Sequence, residues 1–170
     1  NPLDPGVITV GTFNAGTKNN IIGDSAELTL TVRSDDPDVR ETLLSSIERV
    51  QIVACGTALH AGFIARYMIE GLARVPVDID FASEFRYREP PVSPNATAIF
   101  VSQSGETADT LAALRYTRGK VKSVLSVVNV PESSIARESD AALPILAGVE
   151  VGVASTKAFL NQLGVLANLA

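Results

Sequence analysis

The chain has 170 residues, 46% apolar and 19% charged, enough to bury one core with a small appendage. Nineteen acidic against 14 basic residues leave a net charge of -5 without any Lys/Arg run, a field that repels a phosphate backbone and argues against nucleic-acid binding. One cysteine allows neither a disulfide framework nor a Cys-based zinc site, and no apolar run reaches the roughly 18–20 residues that span a bilayer, so a cytoplasmic protein without a membrane partner is expected.

"NPLDPG" lacks the basic and apolar regions of a signal peptide. With no initiator Met and an ending inside "LNQLGVLANLA", the chain reads as a piece of a longer product. "VITVGTF" then predicts a short strand, and "AELTLTVR" a half-exposed antiparallel one, with Ala26, Leu28, Leu30 and Val32 on one face. The Gly, Asn and Asp of "NAGTKNN" and "IIGDS" suit the tight connections beside them. In "SDDPDVRETLLSSIERV", Asp36 can cap a helix, Pro37 suits its first turn, and Val39, Leu43, Leu44, Ile47 and Val50 line one face, predicting a helix over 37–50.

From Gln51 the pattern changes to short, nearly continuous apolar runs, "QIVAC", "VPVDIDF", "ATAIFVS", "SVLSVV" and "AALPIL". Helical stretches at Ala61 to Arg74, Thr107 to Thr117 and Val153 to Leu169 separate or follow them. Strands buried on both faces look like this, so a doubly wound parallel α/β sheet is expected. Two parts follow, 1–50 and 51–170, sharing the helix 37–50 and a core, with no flexible linker between them.

The stretch richest in chemistry is "IFVSQSGETADTLAALRY". A buried strand ends at Ser102, Gln103–Glu106 form a loop, and a helix opens near Thr107; a phosphate there meets free N–H groups, the positive helix end and the hydroxyls of Ser102, Ser104 and Thr107. Gly105 lets the backbone approach closely. The loop has no Lys and no G-x-x-x-x-G-K-[ST] spacing, so a single phosphoester suits it better than a nucleoside triphosphate. Serines after a strand also simply cap the next helix, which is the competing explanation. Two further small-polar turns, "ACGTALHAG" with Thr57 and "EVGVASTKAF" with Ser155, Thr156 and Lys157, would gather at the same ends of the strands and make a pocket floor. His60 suits a surface position, Cys55 a small apolar filler, "EFRYREPP" a solvated short helix and turn, and Lys157 a solvated or anion-facing side chain. Phe159, Leu163, Leu166 and Ala170 predict the core stripe of the last helix.

"ACGT", "ASEFRYREPPVSPN", "SQSGETADTLAALRY", "NVPESSIARESD" and "GVASTKAF", in this order, resemble the first sugar isomerase (SIS) subdomain of the glutamine–fructose-6-phosphate aminotransferase (glucosamine-6-phosphate synthase) family. That resemblance implies a five-stranded, flavodoxin-like parallel sheet and a phosphosugar pocket built from Thr57, Ser102, Gln103, Ser104, Gly105 and Thr107 at the phosphate, with Val153 and Ser155 near the sugar. The ligand implied is fructose 6-phosphate or glucosamine 6-phosphate; no cofactor or metal is expected. The family usually has Ser where Ala58 stands, and losing that hydrogen bond costs about 0.5–1.5 kcal/mol. Its catalytic carboxylate and lysine belong to a second subdomain, so these residues imply binding without turnover.

Residues 5–49, "VITVGTFNAGTKNNIIGDSAELTLTVRS" and "DPDVRETLLSSIERV", resemble instead the ferredoxin-like lid or dimerisation domain of M20 metallopeptidases. His is common there at the place of Asn14 and Pro at that of Gly23, while Asn20 and Arg33 match positions that can touch substrate. A single His excludes the two-metal chemistry itself. The two resemblances together suggest an engineered chimera, spliced through a shared helix and acting as a scaffold with residual phosphosugar binding. An isomerase-domain fragment of the aminotransferase and a module that dimerises through a strand edge or the exposed final helix are the alternatives.

Overall fold

A computed structural model describes residues 7–15, 26–33, 47–149 and 155–170, the first two stretches as backbone. The chain divides into two compact units, Asn1–Ser46 and Ile47–Ala170. In the first, β1 (Val7–Ala15) and β2 (Ala26–Arg33) pair antiparallel, with Val7 opposite Arg33 and Ala15 opposite Ala26. The register shifts between Val10 and Thr12, so Gly11 is the extra residue of a bulge.

In the second unit the elements are β3 (Arg49–Ala54), α1 (Gly56–Leu72), β4 (Val77–Phe81), α2 (Ala82–Arg88), β5 (Ala96–Ser102), α3 (Ala108–Thr117), β6 (Ser123–Val128), α4 (Ser134–Glu138), β7 (Ala141–Pro144) and α5 (Lys157–Asn168). The five strands form one parallel sheet in the order β4-β3-β5-β6-β7. This is the expected α/β architecture, and the strand pattern explains it: every residue of β5 is buried, as an unbroken apolar run at the centre of a sheet covered on both faces must be. Alternate residues supply two cores. Ile52, Ala54, Ile99, Val101 and Val127 pack with Leu59 and Ile69 of α1 and Val165 and Leu166 of α5. Val53, Phe100, Val124 and Val128 pack with Phe85 of α2, Leu114 of α3 and Ile135 of α4. Each Val, Leu, Ile or Phe among them contributes about 1.5–3 kcal/mol when fully buried. Gly62 lets α1 lie close on β3, since a Cβ there would stand 3.0 Å from Cγ2 of Ile52.

Several expectations are corrected. Residues 37–46 of the helix over 37–50 lie outside the described residues, but its end is not helical: Arg49 and Val50 open β3. Val50 is buried and its N–H donates to the Pro76 carbonyl at 2.9 Å, so ladder pairing wins over the helical spacing of Ile47 and Val50. Helix α1 starts at Gly56 rather than Ala61, because Cys55 is already its extended N-cap. The run "AALPIL" is not buried on both faces: Ala141, Ala142 and Pro144 of β7 are exposed, since this strand closes the sheet at an edge. On α5 the buried residues are Ala158, Gln162, Val165 and Leu166, with Phe159 and Leu163 only partly buried against the core, so the stripe is rotated from the one expected and carries a polar residue. "EFRYREPP" does form a short helix, α2, but Phe85 within it is buried at 1% exposure. Among the described residues no helix is long and apolar enough to cross a membrane.

Candidate functional site

The chain runs from β3 outward to β4 on one side, then returns to β5 on the other, so the connections reverse direction between β3 and β5. In an open parallel sheet, ligands bind at the carboxyl ends of the strands beside such a reversal. Ala54 pairs with Val101, so Cys55–Thr57 and Ser102–Thr107 leave the sheet side by side at that place. Val128 pairs with Ser102 and Pro144 with Val128, bringing the turns after β6 and β7 to the same rim.

The loop after β5 is braced from within. Ser102, buried at 2% exposure, accepts the Gly105 N–H at 3.0 Å, and its hydroxyl lies 3.0 Å from that of Thr107. Ser104 is exposed and accepts the Glu106 N–H at 3.2 Å. Thr107 is the extended N-cap of α3 without a side-chain cap bond, so its hydroxyl is not spent on the helix. The competing explanation, serines that merely cap the helix, therefore does not describe this loop. Gly105 has φ +67, and a Cβ there would stand 2.0 Å from the Ser133 hydroxyl. Only glycine fits both the dihedral and the space.

Of the other expected residues, Gln103 is half-buried and Thr57 is exposed at the start of α1. Ala58 is buried in the core. Ser155 precedes α5 with its hydroxyl buried and without a partner among the described residues. Val153 lies outside the described residues. His60 and Lys157 are exposed and Cys55 is half-buried.

Three residues at this rim escaped the sequence analysis. Asn129 donates its backbone N–H to the Gln103 carbonyl at 3.1 Å; its side chain accepts the Ala147 N–H at 2.9 Å and donates to the Gly148 carbonyl at 2.7 Å. Glu106 accepts the Ser134 N–H at 2.6 Å. That bond, the Ser134 side chain and the charge of Arg137 hold the Glu106 carboxyl below the usual glutamate range despite some desolvation. Ser133 packs against Gly105 with its buried hydroxyl unpaired among the described residues. Their signals in sequence were the strings "NVPESSIARESD" for Asn129 and Ser133 and "SQSGETADTLAALRY" for Glu106, which show a family likeness without a role for these three. A separate cleft of about 360 Å³, lined by Arg49, Gln51, Asp78, Pro91, Val92, Ser93 and Ala96, opens at the amino ends of the strands, away from this loop.

A family model described as SIS domain matches residues 43–170. The chain belongs to the SIS domain family. Among curated proteins, a glutamine–fructose-6-phosphate aminotransferase [isomerizing] of Bradyrhizobium diazoefficiens is 63% identical to this SIS chain over 125 residues, 74% of this chain and 21% of that protein. The one from Zymomonas mobilis subsp. mobilis is 61% identical over 135 residues, 79% of this chain and 22% of the other. The SIS chain thus spans about a fifth of the length of these relatives. Among solved structures, the C-terminal domain of glucosamine-fructose-6-phosphate aminotransferase from Francisella tularensis matches at TM-score 0.75 and 46% identity, over 80% of this chain and 38% of that one. Glucosamine-6-phosphate deaminase from Thermotoga maritima, 22% identical, shares the SIS fold at TM-score 0.67 over 78% of this chain and 40% of that one. The family model begins at residue 43, and these findings do not support the M20 likeness of residues 5–49 or a ferredoxin-like lid.

Proposed function

We propose that residues 47–170 are a sugar-phosphate-binding piece of the isomerase region of a glutamine–fructose-6-phosphate aminotransferase, the alternative rather than the chimeric scaffold first favoured. The carrying observation is the braced loop Ser102–Thr107 at the reversal between β3 and β5, with Ser104 exposed and the Thr107 hydroxyl off the helix. Ser102 and Gly105 shape the loop; Ser104, Thr107, Gln103 and the N–H groups opening α3 take the phosphate of fructose 6-phosphate or glucosamine 6-phosphate. Thr57 approaches from α1 and Ser155 lies toward the sugar; Val153, which the resemblance also assigns to the sugar, is outside the described residues. The resembled family's carboxylate base and lysine lie outside these 170 residues, so the chain by itself binds without isomerising. The 63% identity to an aminotransferase over 125 residues supports the choice of hexose 6-phosphates.

Titrating the isotopically labelled chain with fructose 6-phosphate in phosphate-free buffer tests this through backbone amide shifts. Saturable shifts at Gln103 to Thr107, reduced about a hundredfold or more in affinity by the pair Ser104→Ala and Thr107→Ala, are expected, two hydrogen bonds to a charged group being worth roughly 1.5–3 kcal/mol each. No shift at millimolar ligand would leave the loop as scaffold only.

A second reading keeps the engineered join: residues 5–49 as an M20-type piece fused to the SIS piece, with a homodimer through a strand edge or the last helix. The division of the chain between Ser46 and Ile47 favours the join. Leu160, 60% exposed on α5, favours the dimer.

A further inference from the structure

A phosphate loop gains nothing from a carboxylate, which repels a bound phosphomonoester, yet Glu106 stands in the middle of this one. Its side chain is committed elsewhere. The carboxylate accepts the Ser134 N–H at 2.6 Å, across 28 residues of chain. Two more bonds run between the same segments: Ile135 N–H to the Gly105 carbonyl at 3.0 Å, and Asn129 N–H to the Gln103 carbonyl at 3.1 Å. Ser133, buried at 2% exposure, fills the space under Gly105 that a Cβ would need. Segment 129–135 therefore backs the loop at Gln103, Gly105 and Glu106 in turn, and only the Glu106 contact is made by a side chain of the loop.

We propose that Glu106 is the positioning residue of the phosphate loop, a latch that ties it to Ser134 and holds its N–H groups and hydroxyls in the arrangement that receives a phosphomonoester. The proposal rests on the phosphosugar reading above and adds a residue that does not touch the ligand. The latch turns the negative charge toward Ser134, whose N–H opens α4. Of the charged groups on the packed elements, Arg137 of α4 acts on Glu106 in the favourable sense; Asp109 of α3 is paired with Arg86, and Arg115 of α3 with Glu138.

The latch and charge repulsion predict opposite outcomes for one substitution. If Glu106 acts on the ligand only by its charge, Glu106→Ala tightens phosphate binding; if it is the latch, Glu106→Ala weakens it. We expect Glu106→Ala to lower the affinity for fructose 6-phosphate about three- to tenfold, and Glu106→Gln, which keeps an acceptor of the same length, to stay within about twofold of the parent. Equal or tighter binding by Glu106→Ala overturns the proposal. A second readout needs no ligand: the Ser134 amide resonance of the free chain should move as the pH falls through a midpoint below that of an ordinary glutamate, and stay flat in Glu106→Gln. A flat Ser134 resonance in the parent chain overturns the latch whatever the ligand does. A titrating Ser134 in a chain that binds no phosphosugar leaves the latch standing as a loop brace, and overturns both its positioning role and the phosphosugar reading.

Discussion

At the scale of single residues, the loop Ser102–Thr107 separates side chains that brace its form from those that the proposed function assigns to the phosphate. Ser102 is enclosed, and its oxygen already accepts the Gly105 N–H, so its first effect is on loop form. Ser104 is exposed and Thr107 half-buried with its hydroxyl beside that of Ser102, and the next helix starts without using either side chain. Gly105 joins the two sets. A side chain there meets a left-handed φ and the Ser133 hydroxyl 2.0 Å away at once. Gly105→Ala should therefore cost about 1–3 kcal/mol of stability and abolish phosphosugar shifts, checked by chemical denaturation and by the same amide titration. A variant with parent stability and binding would mean that the close fit against Ser133 has no consequence. Glu106 was passed over in sequence because an isolated acidic residue in a polar turn reads as solvated; its partner is 28 residues away and comes near only through the sheet.

At the scale of elements, the turn after β5 is held by what packs behind it. Helix α2 lies on the sheet through Phe85, whose ring meets Tyr116 of α3 edge-on at 5.8 Å. The charge alternation of "EFRYREPP" conceals this. Arg86 pairs with Asp109 and Arg88 with Asp80, and Tyr87 between them is exposed, so this face does look outward, while Phe85 alone of the two aromatics carries the packing. Phe85→Ala should cost about 3–5 kcal/mol, a shift readily measured in the denaturation midpoint. A cost below about 1 kcal/mol would show that α2 is no more than the solvated turn its charges suggest. Helices α3 and α4 are tied by the bidentate Arg115–Glu138 pair, with contacts of 2.8 and 2.5 Å. The guanidinium holds the Glu138 carboxyl below its usual range. Any stability from the pair is thus present above the unfolded-state pKa and lost as pH falls through the lowered folded value. Both groups are partly exposed, so the amount is small.

At the scale of the whole molecule, the second unit contains everything the proposed site uses. Its sheet, its two cores and the loops at the carboxyl rim all come from Ile47–Ala170. Removing residues 1–44 should leave a chain that unfolds cooperatively and keeps the amide pattern of Gln103–Thr107, as read by denaturation and two-dimensional spectra. Collapse of that pattern would make the first unit part of the site's support and would count against a join of separable pieces.

Much of the second unit was legible in sequence, because a strand dry on both faces must be apolar throughout and a crossover helix must show a 3.6-residue stripe; each demand is met within ten to twenty consecutive residues. The turn after β5 was legible for the same local reason, since Ser102, Gly105 and Thr107 brace it within one turn of chain. What escaped depends on residues far apart in sequence. Val50 belongs to a strand because Pro76 is there to accept its N–H; Phe85 is core because α3 and the sheet enclose it; Glu106 is a latch because Ser134 arrives beside it. Spacing along the chain reports which face a side chain occupies, whereas only the assembled sheet decides what stands opposite that face and which polar groups meet there.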